Sequence, residues 1–313
     1  MKINKPKFWD EKYSIYSFLL IPITLIVTLF IFLKKKFTKS IKFNIPVICI
    51  GNIYIGGTGK TPTSIFLAKQ LLKLGKNPAI LRKFYKSHSD EHGLIKKEFT
   101  KLILCKNRVQ GMREAEKRGH DAVLLDDGFQ DYRIKKDLNI ICFNERQLIG
   151  NGFVLPSGPL REKLSALNNA NIILINGNKN DQFEKTILNI NKNLHIFYSN
   201  YKATNIDKFR NKKLLAFAGI GNPNNFFQLI KEYDLDIRKE IIFPDHYEFK
   251  NSDIKNILEE AKYRNYQVIT TEKDYYKIKD FNIEKIEFLE VLLEINNKEK
   301  FIKTIEKLYV KNN

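Results

Sequence analysis

Residues 54–61, Tyr-Ile-Gly-Gly-Thr-Gly-Lys-Thr, carry the types and spacing needed to hold a chain of phosphates. Glycines let successive backbone N–H groups converge on phosphate oxygens, and a helix N-terminus adds positive potential. A lysine can reach the β- and γ-phosphates, and a threonine hydroxyl can serve Mg²⁺. Context supports this chemistry. An apolar run at residues 46–50 precedes the loop, and a helical pattern at residues 64–72 follows it. Strand, glycine loop and helix together predict a nucleotide site formed by Gly56, Gly57, Thr58, Gly59, Lys60, Thr61 and Pro62. The usual pattern has a glycine six residues before the lysine, where this chain has Tyr54. A plain strand-to-helix turn is the competing reading.

Residues 121–127, Asp-Ala-Val-Leu-Leu-Asp-Asp, form an apolar strand that ends in two carboxylates. An acid at the carboxyl end of a parallel strand can face the phosphate loop, because ligands of open α/β sheets bind beyond those ends. Asp126 and Asp127, with Thr61, are therefore the expected Mg²⁺ ligands. Solvated acids or a helix cap is the structural alternative. Residues 128–133, Gly-Phe-Gln-Asp-Tyr-Arg, continue the element with polar groups, and Gln130 is a candidate contact to nucleotide or acceptor. In the Pro- and Gly-rich segment 151–162, Arg161 has two readings: a fork for phosphate, or an ion pair with a nearby acid.

These groups need a scaffold. Strand candidates at residues 47–51, 79–82, 101–105, 122–125, 139–143 and 172–175, with helices at 63–74 and 109–118, predict a mostly parallel sheet with crossover helices. A second series has strands at 213–219, 237–243 and 268–271, with helices near 224–233 and 252–263. The fold class expected is α/β: a P-loop NTPase-type sheet with flanking helices, a second, smaller α/β domain, and an N-terminal membrane-associated helix. The Asn-rich stretch 176–193 is the expected crossover between domains. The boundaries are 1–36 for an anchor, 37–175 for the nucleotide domain and 176–313 for the smaller domain, which contributes to the active-site cleft.

The chain of 313 residues carries a formal net charge of +19, which suits nucleic acid, a membrane surface or a phosphorylated substrate. Neither zinc-finger spacing nor an RNP-like aromatic motif supports nucleic acid. The three cysteines, Cys49, Cys105 and Cys142, have no paired spacing and fit a reducing compartment. Residues 15–33 contain no charged side chain and are followed by Lys34, Lys35 and Lys36. The segment is long for a signal-peptide core and lacks a cleavage site, so it predicts a membrane anchor, with a buried core helix as the alternative. Lys2, Lys5, Lys7 and Lys12 make the other flank basic too, so a full span and a helix lying in the cytoplasmic leaflet are both open.

Taken in order, these motifs resemble the tetraacyldisaccharide 4'-kinase family of lipid A biosynthesis. The resemblance extends through residues 51–62, 216–223 with Phe226 and Phe227, 243–247 (Phe-Pro-Asp-His-Tyr) and 271–274 (Thr-Glu-Lys-Asp). The family's glycine loop also lacks the early glycine, so Tyr54 agrees with it. The resemblance implies transfer of the ATP γ-phosphate to the 4'-hydroxyl of a tetraacyldisaccharide 1-phosphate, giving lipid IVA, on the cytoplasmic face of the bacterial inner membrane. Its implied cofactors are ATP and Mg²⁺. Its implied partners are the acylated disaccharide lipid and membrane lipids, with no nucleic acid and no obligate protein partner. It assigns Asp90 as the base, with Glu91 beside it, and His246 as the group that orients it or raises its basicity. Lys60 would neutralise charge on the transferring group. Where the family carries a longer glycine-rich segment, this chain has the short, basic run at residues 81–88, and its Asp-Glu pair lies in Ser89-Asp-Glu-His92. His88 and His92 are expected to be exposed bystanders. The rival function is a membrane-tethered P-loop NTPase switch, which would not need the acid–base residues at 243–247.

Overall fold

The computed structural model describes residues 5–85, 89–245, 247–281 and 283–310. The chain begins with two helices, α1 (Ile15–Leu19) and α2 (Ile21–Phe37). It continues through β1 (Val47–Gly51), α3 (Lys60–Lys73), β2 (Pro78–Lys83), α4 (Ser89–Glu98), β3 (Leu102–Cys105), α5 (Arg108–Lys117), β4 (Ala122–Asp126) and β5 (Leu138–Asn144). Then come β6 (Ile172–Asn176), α6 (Asp181–Ile190), β7 (His195–Ala203), β8 (Lys213–Ala218), α7 (Pro223–Glu232) and β9 (Asp236–Ile242). The chain ends with α8 (Asn251–Arg264), β10 (Gln267–Thr271), α9 (Glu272–Ile278), β11 (Ile286–Leu289), β12 (Val291–Ile295) and α10 (Lys298–Val310).

Two compact units result. Among the described residues, the larger takes in 5–84, 99–200 and 293–310, and the smaller 85–98 and 201–292. The larger holds an eight-stranded sheet in the order β12-β7-β6-β5-β1-β4-β2-β3. Every residue of β1, β4 and β6 is buried, as the unbroken apolar runs of a sheet covered on both faces require. The smaller unit carries a four-stranded sheet, β11-β10-β8-β9, with parallel pairings throughout. Its core joins Phe226, Phe227 and Ile230 of α7 to β8 on one side, and Ile254, Ile257 and Ala261 of α8 on the other.

The units do not follow the boundaries expected at 175/176. β6 pairs in register with both β5 and β7, so the large sheet continues through the Asn-rich segment. That segment is not a linker but contains α6, capped by Asn180, whose side chain accepts from the Phe183 N–H. α6 buries Phe183 and Ile187 against the large core.

The apolar segment at residues 15–33 is interrupted at Leu20, and Pro22, lacking an N–H, sits in the first turn of α2. Among the described residues no helix is long and apolar enough to cross a membrane, which leaves the leaflet-lying helix of the two placements open in sequence. α2 is also inverted relative to an ordinary surface helix. Its one buried residue is the polar Thr24, while Leu25, Ile26, Leu29 and Phe30 are 57–69 % exposed. In α1 the buried residue is Ser17, with Ile15 and Leu19 outward.

Polar bonds hold this apolar-outward pair in place. The Thr24 hydroxyl approaches Val154 O (3.2 Å) and Ser157 Oγ (2.7 Å), and accepts from Ser157 N. Asn151 donates to Ser17 Oγ, and Trp9 Nε1 donates to Pro156 O. Replacing Thr24 by Val keeps its shape but leaves the buried Ser157 N–H without its acceptor, a loss of about 1–3 kcal/mol. Thr24→Val is expected to speed limited proteolysis at Lys34, Lys35 and Lys36; cleavage at the wild-type rate would contradict this docking.

Candidate active site

The phosphate loop leaves β1 and closes onto α3. Gly56 and Gly59 have φ of 108° and 87°, a left-handed backbone that side-chain-bearing residues resist, and Gly59 serves as the N-cap of α3. α3 therefore starts at Lys60, so Lys60, Thr61 and Pro62 occupy its first turn, where unpaired N–H groups face an anion. Asn52 braces the loop from within, donating to Thr58 Oγ1 at 2.9 Å. Asn176, at the end of β6, donates to Thr58 O at 2.5 Å.

Across the loop, Asp126 ends β4 and is fully buried. The Thr61 hydroxyl donates to its Oδ2 at 3.1 Å, and the Ser64 hydroxyl to its Oδ1 at 3.1 Å. Arg82, the residue paired with Asp126 in the β2–β4 register, completes the shell: its Nη1 donates to Asp126 Oδ2 and, at 3.0 Å, to Thr61 Oγ1. Asp127 turns elsewhere. Its φ of 54° ends the strand geometry, and its carboxylate meets Lys60 Nζ at 3.7 Å and Arg161 Nη1 at 2.9 Å. Asp127 thus does not join Thr61 and Asp126. Arg161 forms the ion pair that was one of its two readings, beside the loop lysine.

The electrostatics follow. Burial would raise the Asp127 carboxyl, but Lys60, Arg161, Arg82 and Arg108 outweigh it and hold the group below the ordinary carboxylate range. Burial pulls the Lys60 ammonium below the ordinary lysine value, with Asp127 opposing it and Arg161 adding to it. The thiols of Cys49 and Cys142 are pushed by burial to about 11 and about 12, so both are protonated core residues.

Gln130 knits the motifs together. Its Nε2 donates to Asn52 O (2.9 Å) and to Glu162 Oε1 (3.0 Å), joining the loop strand, the segment after β4 and the 151–162 segment. Backbone bonds reinforce this, from Ile55 N to Pro159 O and from Arg161 N to Ile53 O. Arg108 of α5 donates to Asp127 O at 2.7 Å. Asp90 and Glu91 fall on α4, but their side chains, like all of His246 and His88, lie outside the described residues. His92 is buried at 7 % exposure rather than exposed, because α4 packs against α9 within the smaller unit.

Arg82, Arg108, Ser64, Asn52 and Asn176 were not singled out from sequence. Arg82 and Asn176 had a legible signal: each is a polar residue at or next to the carboxyl end of a parallel strand, where such sheets bind ligands. Arg108 and Ser64 are polar positions on helical faces, indistinguishable in sequence from surface residues.

A buried acid under a glycine loop, with a lysine and threonine opening the helix, defines a P-loop protein equipped to grip phosphate. The family model for tetraacyldisaccharide-1-P 4'-kinase matches residues 16–309, and the chain belongs to that kinase family. It is 38 % identical over 316 residues to the tetraacyldisaccharide 4'-kinase of Pelagibacter ubique, covering all of both chains. It is 35 % identical to the enzyme of that name from Rickettsia akari, covering 95 % of each. Its fold is similar to the crystal structure of the "apo" form of LpxK from Aquifex aeolicus in complex with ATP, with a TM-score of 0.70 and 23 % identity, covering 94 % of this chain and 99 % of that one.

The lowered Lys60 value has a testable sign. A lysine charged when it grips phosphate loses that grip as pH rises through its value in the free protein, which here lies below the usual ~10.4. ATP affinity is expected to begin falling below that pH. In Lys60→Arg, whose guanidinium stays charged, that alkaline limb should vanish. Titration calorimetry from about pH 7 up to about the ordinary lysine value checks this, and identical limbs in the two proteins would contradict it.

Proposed function

We propose that this protein transfers the γ-phosphoryl group of ATP to the 4'-hydroxyl of a tetraacyldisaccharide 1-phosphate, forming lipid IVA. The observation that carries the reading is the convergence of Thr61 and Arg82 on buried Asp126, with Lys60 one residue before Thr61. Family membership supplies the acceptor.

In this reading, backbone N–H groups of residues 56–61 and the first turn of α3 bind the phosphates. Lys60 leaves Asp127 for the γ-phosphate and offsets the charge that spreads over its oxygens in transfer. Arg161, held beside it by the same carboxylate, is placed to follow. The Thr61 hydroxyl and the Asp126 carboxylate are hard oxygen donors 3.1 Å apart, a pair that would suit Mg²⁺ once the Arg82 guanidinium now bonded to both gives way to the ion. Those two residues would hold the ion, which when bound neutralises phosphate charge. Gln130 and Glu162 would keep the loop in register rather than contact the reacting atoms. Asp90 would accept the sugar hydroxyl proton, with Glu91 adjacent and His246 orienting it or raising its basicity.

The acceptor's acyl chains make a lipid surface the place of work. The apolar outward faces of α1 and α2, ending at Lys34, Lys35 and Lys36, suit a pair lying in the headgroup layer. Those lysines favour the anionic cytoplasmic leaflet.

Incubation with γ-labelled ATP, Mg²⁺ and tetraacyldisaccharide 1-phosphate in detergent should label the lipid; ATP turnover indifferent to the acceptor would support a nucleotide-driven switch instead. Asp90→Ala is expected to lower kcat by at least ~10²-fold while leaving the Kd for ATP nearly unchanged. A defect confined to ATP affinity would remove Asp90 from the base role.

A further inference from the structure

The segment Thr271-Glu-Lys-Asp274 carries more bonds than the start of a helix requires. Part of it is a cap: Thr271 is the N-cap of α9, and its hydroxyl accepts from Asp274 N at 3.1 Å. A cap needs no buried charge, yet the Asp274 carboxylate is fully buried. It accepts from Gly219 N at 2.8 Å, from the Thr271 hydroxyl at 2.8 Å and from Lys277 Nζ at 2.7 Å. Lys277 in turn donates to Gly219 O at 2.9 Å. Both backbone groups of Gly219, the residue after β8, are thereby tied to α9. A Cβ at Gly219 would lie 3.3 Å from Asp274 Oδ1 and 3.3 Å from Phe243 Cβ, so β8, α9 and the chain leaving β9 meet at this glycine.

From this anchor α9 reaches two places. Glu272 accepts from Lys97 Nζ of α4 at 2.6 Å, and a Cβ at Gly93 of the same helix would come within 3.6 Å of the Tyr276 ring. α4 is the helix that carries Asp90. Lys273 Nζ lies 3.9 Å from Asp245 Oδ1, and Asp245 precedes His246 in the chain. On the other side of that position, Tyr247 N donates to Pro244 O at 3.1 Å, and the Tyr247 ring packs against Phe243 and Phe249 with centroids 4.9 and 5.3 Å away. Lys277 Nζ sits 5.8 Å from the Phe249 centroid, so the ammonium that holds Gly219 also braces this turn. All of these residues belong to the smaller unit.

We infer that Glu272, Lys273 and Asp274 are positioning residues, the common mount of the Asp90 helix and of the turn that contains position 246. The inference rests on the proposed reading in which Asp90 takes the sugar hydroxyl proton with His246 orienting it or raising its basicity. Such a transfer works only within hydrogen-bond reach, and a displacement of about 1 Å costs on the order of 10²-fold in rate. Asp90 and His246 come from distant parts of the chain, and two consecutive side chains of one helical turn hold the elements that carry them. Packed apolar groups would hold α9 at least as firmly as the buried Asp274–Lys277 pair. The pair adds direction, because it bonds both the N–H and the C=O of Gly219.

Steady-state kinetics with ATP and the lipid acceptor, and titration calorimetry with ATP, are run on the full chain, on Asp274→Asn, Lys273→Met and Asp90→Ala, and on each motif variant combined with Asp90→Ala. Each motif variant alone is expected to lower kcat ~10-fold or more, while the Kd for ATP stays within about twofold. Added to Asp90→Ala, each should lower kcat by less than about twofold, since the mount then has no base to place. Unchanged kcat in either folded variant would overturn the inference, as would an equal loss of ATP affinity or an undiminished further loss on top of Asp90→Ala. Should Asp274→Asn fail to fold, Lys273→Met decides; failure of both to fold would make the motif an element of stability and overturn the inference too. If Asp90→Ala itself keeps the parent kcat, the base reading fails first and the mount with it.

Discussion

The buried carboxylate of Asp126 is the constraint on which the rest depends. It is fully removed from water, and its charge is tolerated because Arg82, Thr61 and Ser64 together satisfy its oxygens. These partners come from two different elements of the architecture. Thr61 and Ser64 lie on the helix that follows the phosphate loop, Arg82 is the last residue but one of a neighbouring strand, and Asp126 ends its own. One charged group thus fixes α3 to the strand ends β2 and β4. Removing one member of such a buried pair costs about 3–5 kcal/mol, so the arrangement is rigid at the point where phosphate must be met by preformed donors. Asp127, one residue later, has left the strand. With Lys60 on one side and Arg161 on the other, it keeps both cations close to the loop.

The same logic of polar bonds in an apolar setting explains the N-terminus. α1 and α2 turn Ser17 and Thr24 inward and leave their oily residues outside, the reverse of a helix covering a water-soluble core. In the proposed reading, the boundary between lipid headgroups and acyl chains would cover these outward residues. The segment to which these helices are bonded, residues 151–157, continues into Pro159 and Arg161, which pair with the phosphate-loop strand and with Asp127. In that reading, lipid contact and phosphate contact would be carried by one continuous stretch of chain within the larger unit.

Much of this was legible in sequence because it was written in local patterns. β1, β4 and β6 are unbroken apolar runs, and the glycine loop announces both its turn and its chemistry. What escaped was set by pairing between distant segments. β7 alternates exposed and buried residues too weakly to stand out from its Asn- and Lys-rich surroundings, and β12 lies far along the chain, so the large sheet was expected to stop two strands early. Arg82 looked like part of a shortened basic loop, and only its register opposite Asp126 reveals it as a partner of the buried acid. The apolar segment at 15–33 had the composition of a span, but Pro22 and the break at Leu20 divide it into helices too short for one.

The most direct test of the account is a crystal structure of the protein with a non-hydrolysable ATP analogue and Mg²⁺. The account predicts the phosphates against the backbone of residues 56–61, Lys60 moved from Asp127 to the terminal phosphate, and the ion held by Thr61 and Asp126. An analogue bound away from this loop, or bound there with Lys60 still paired to Asp127, would contradict it.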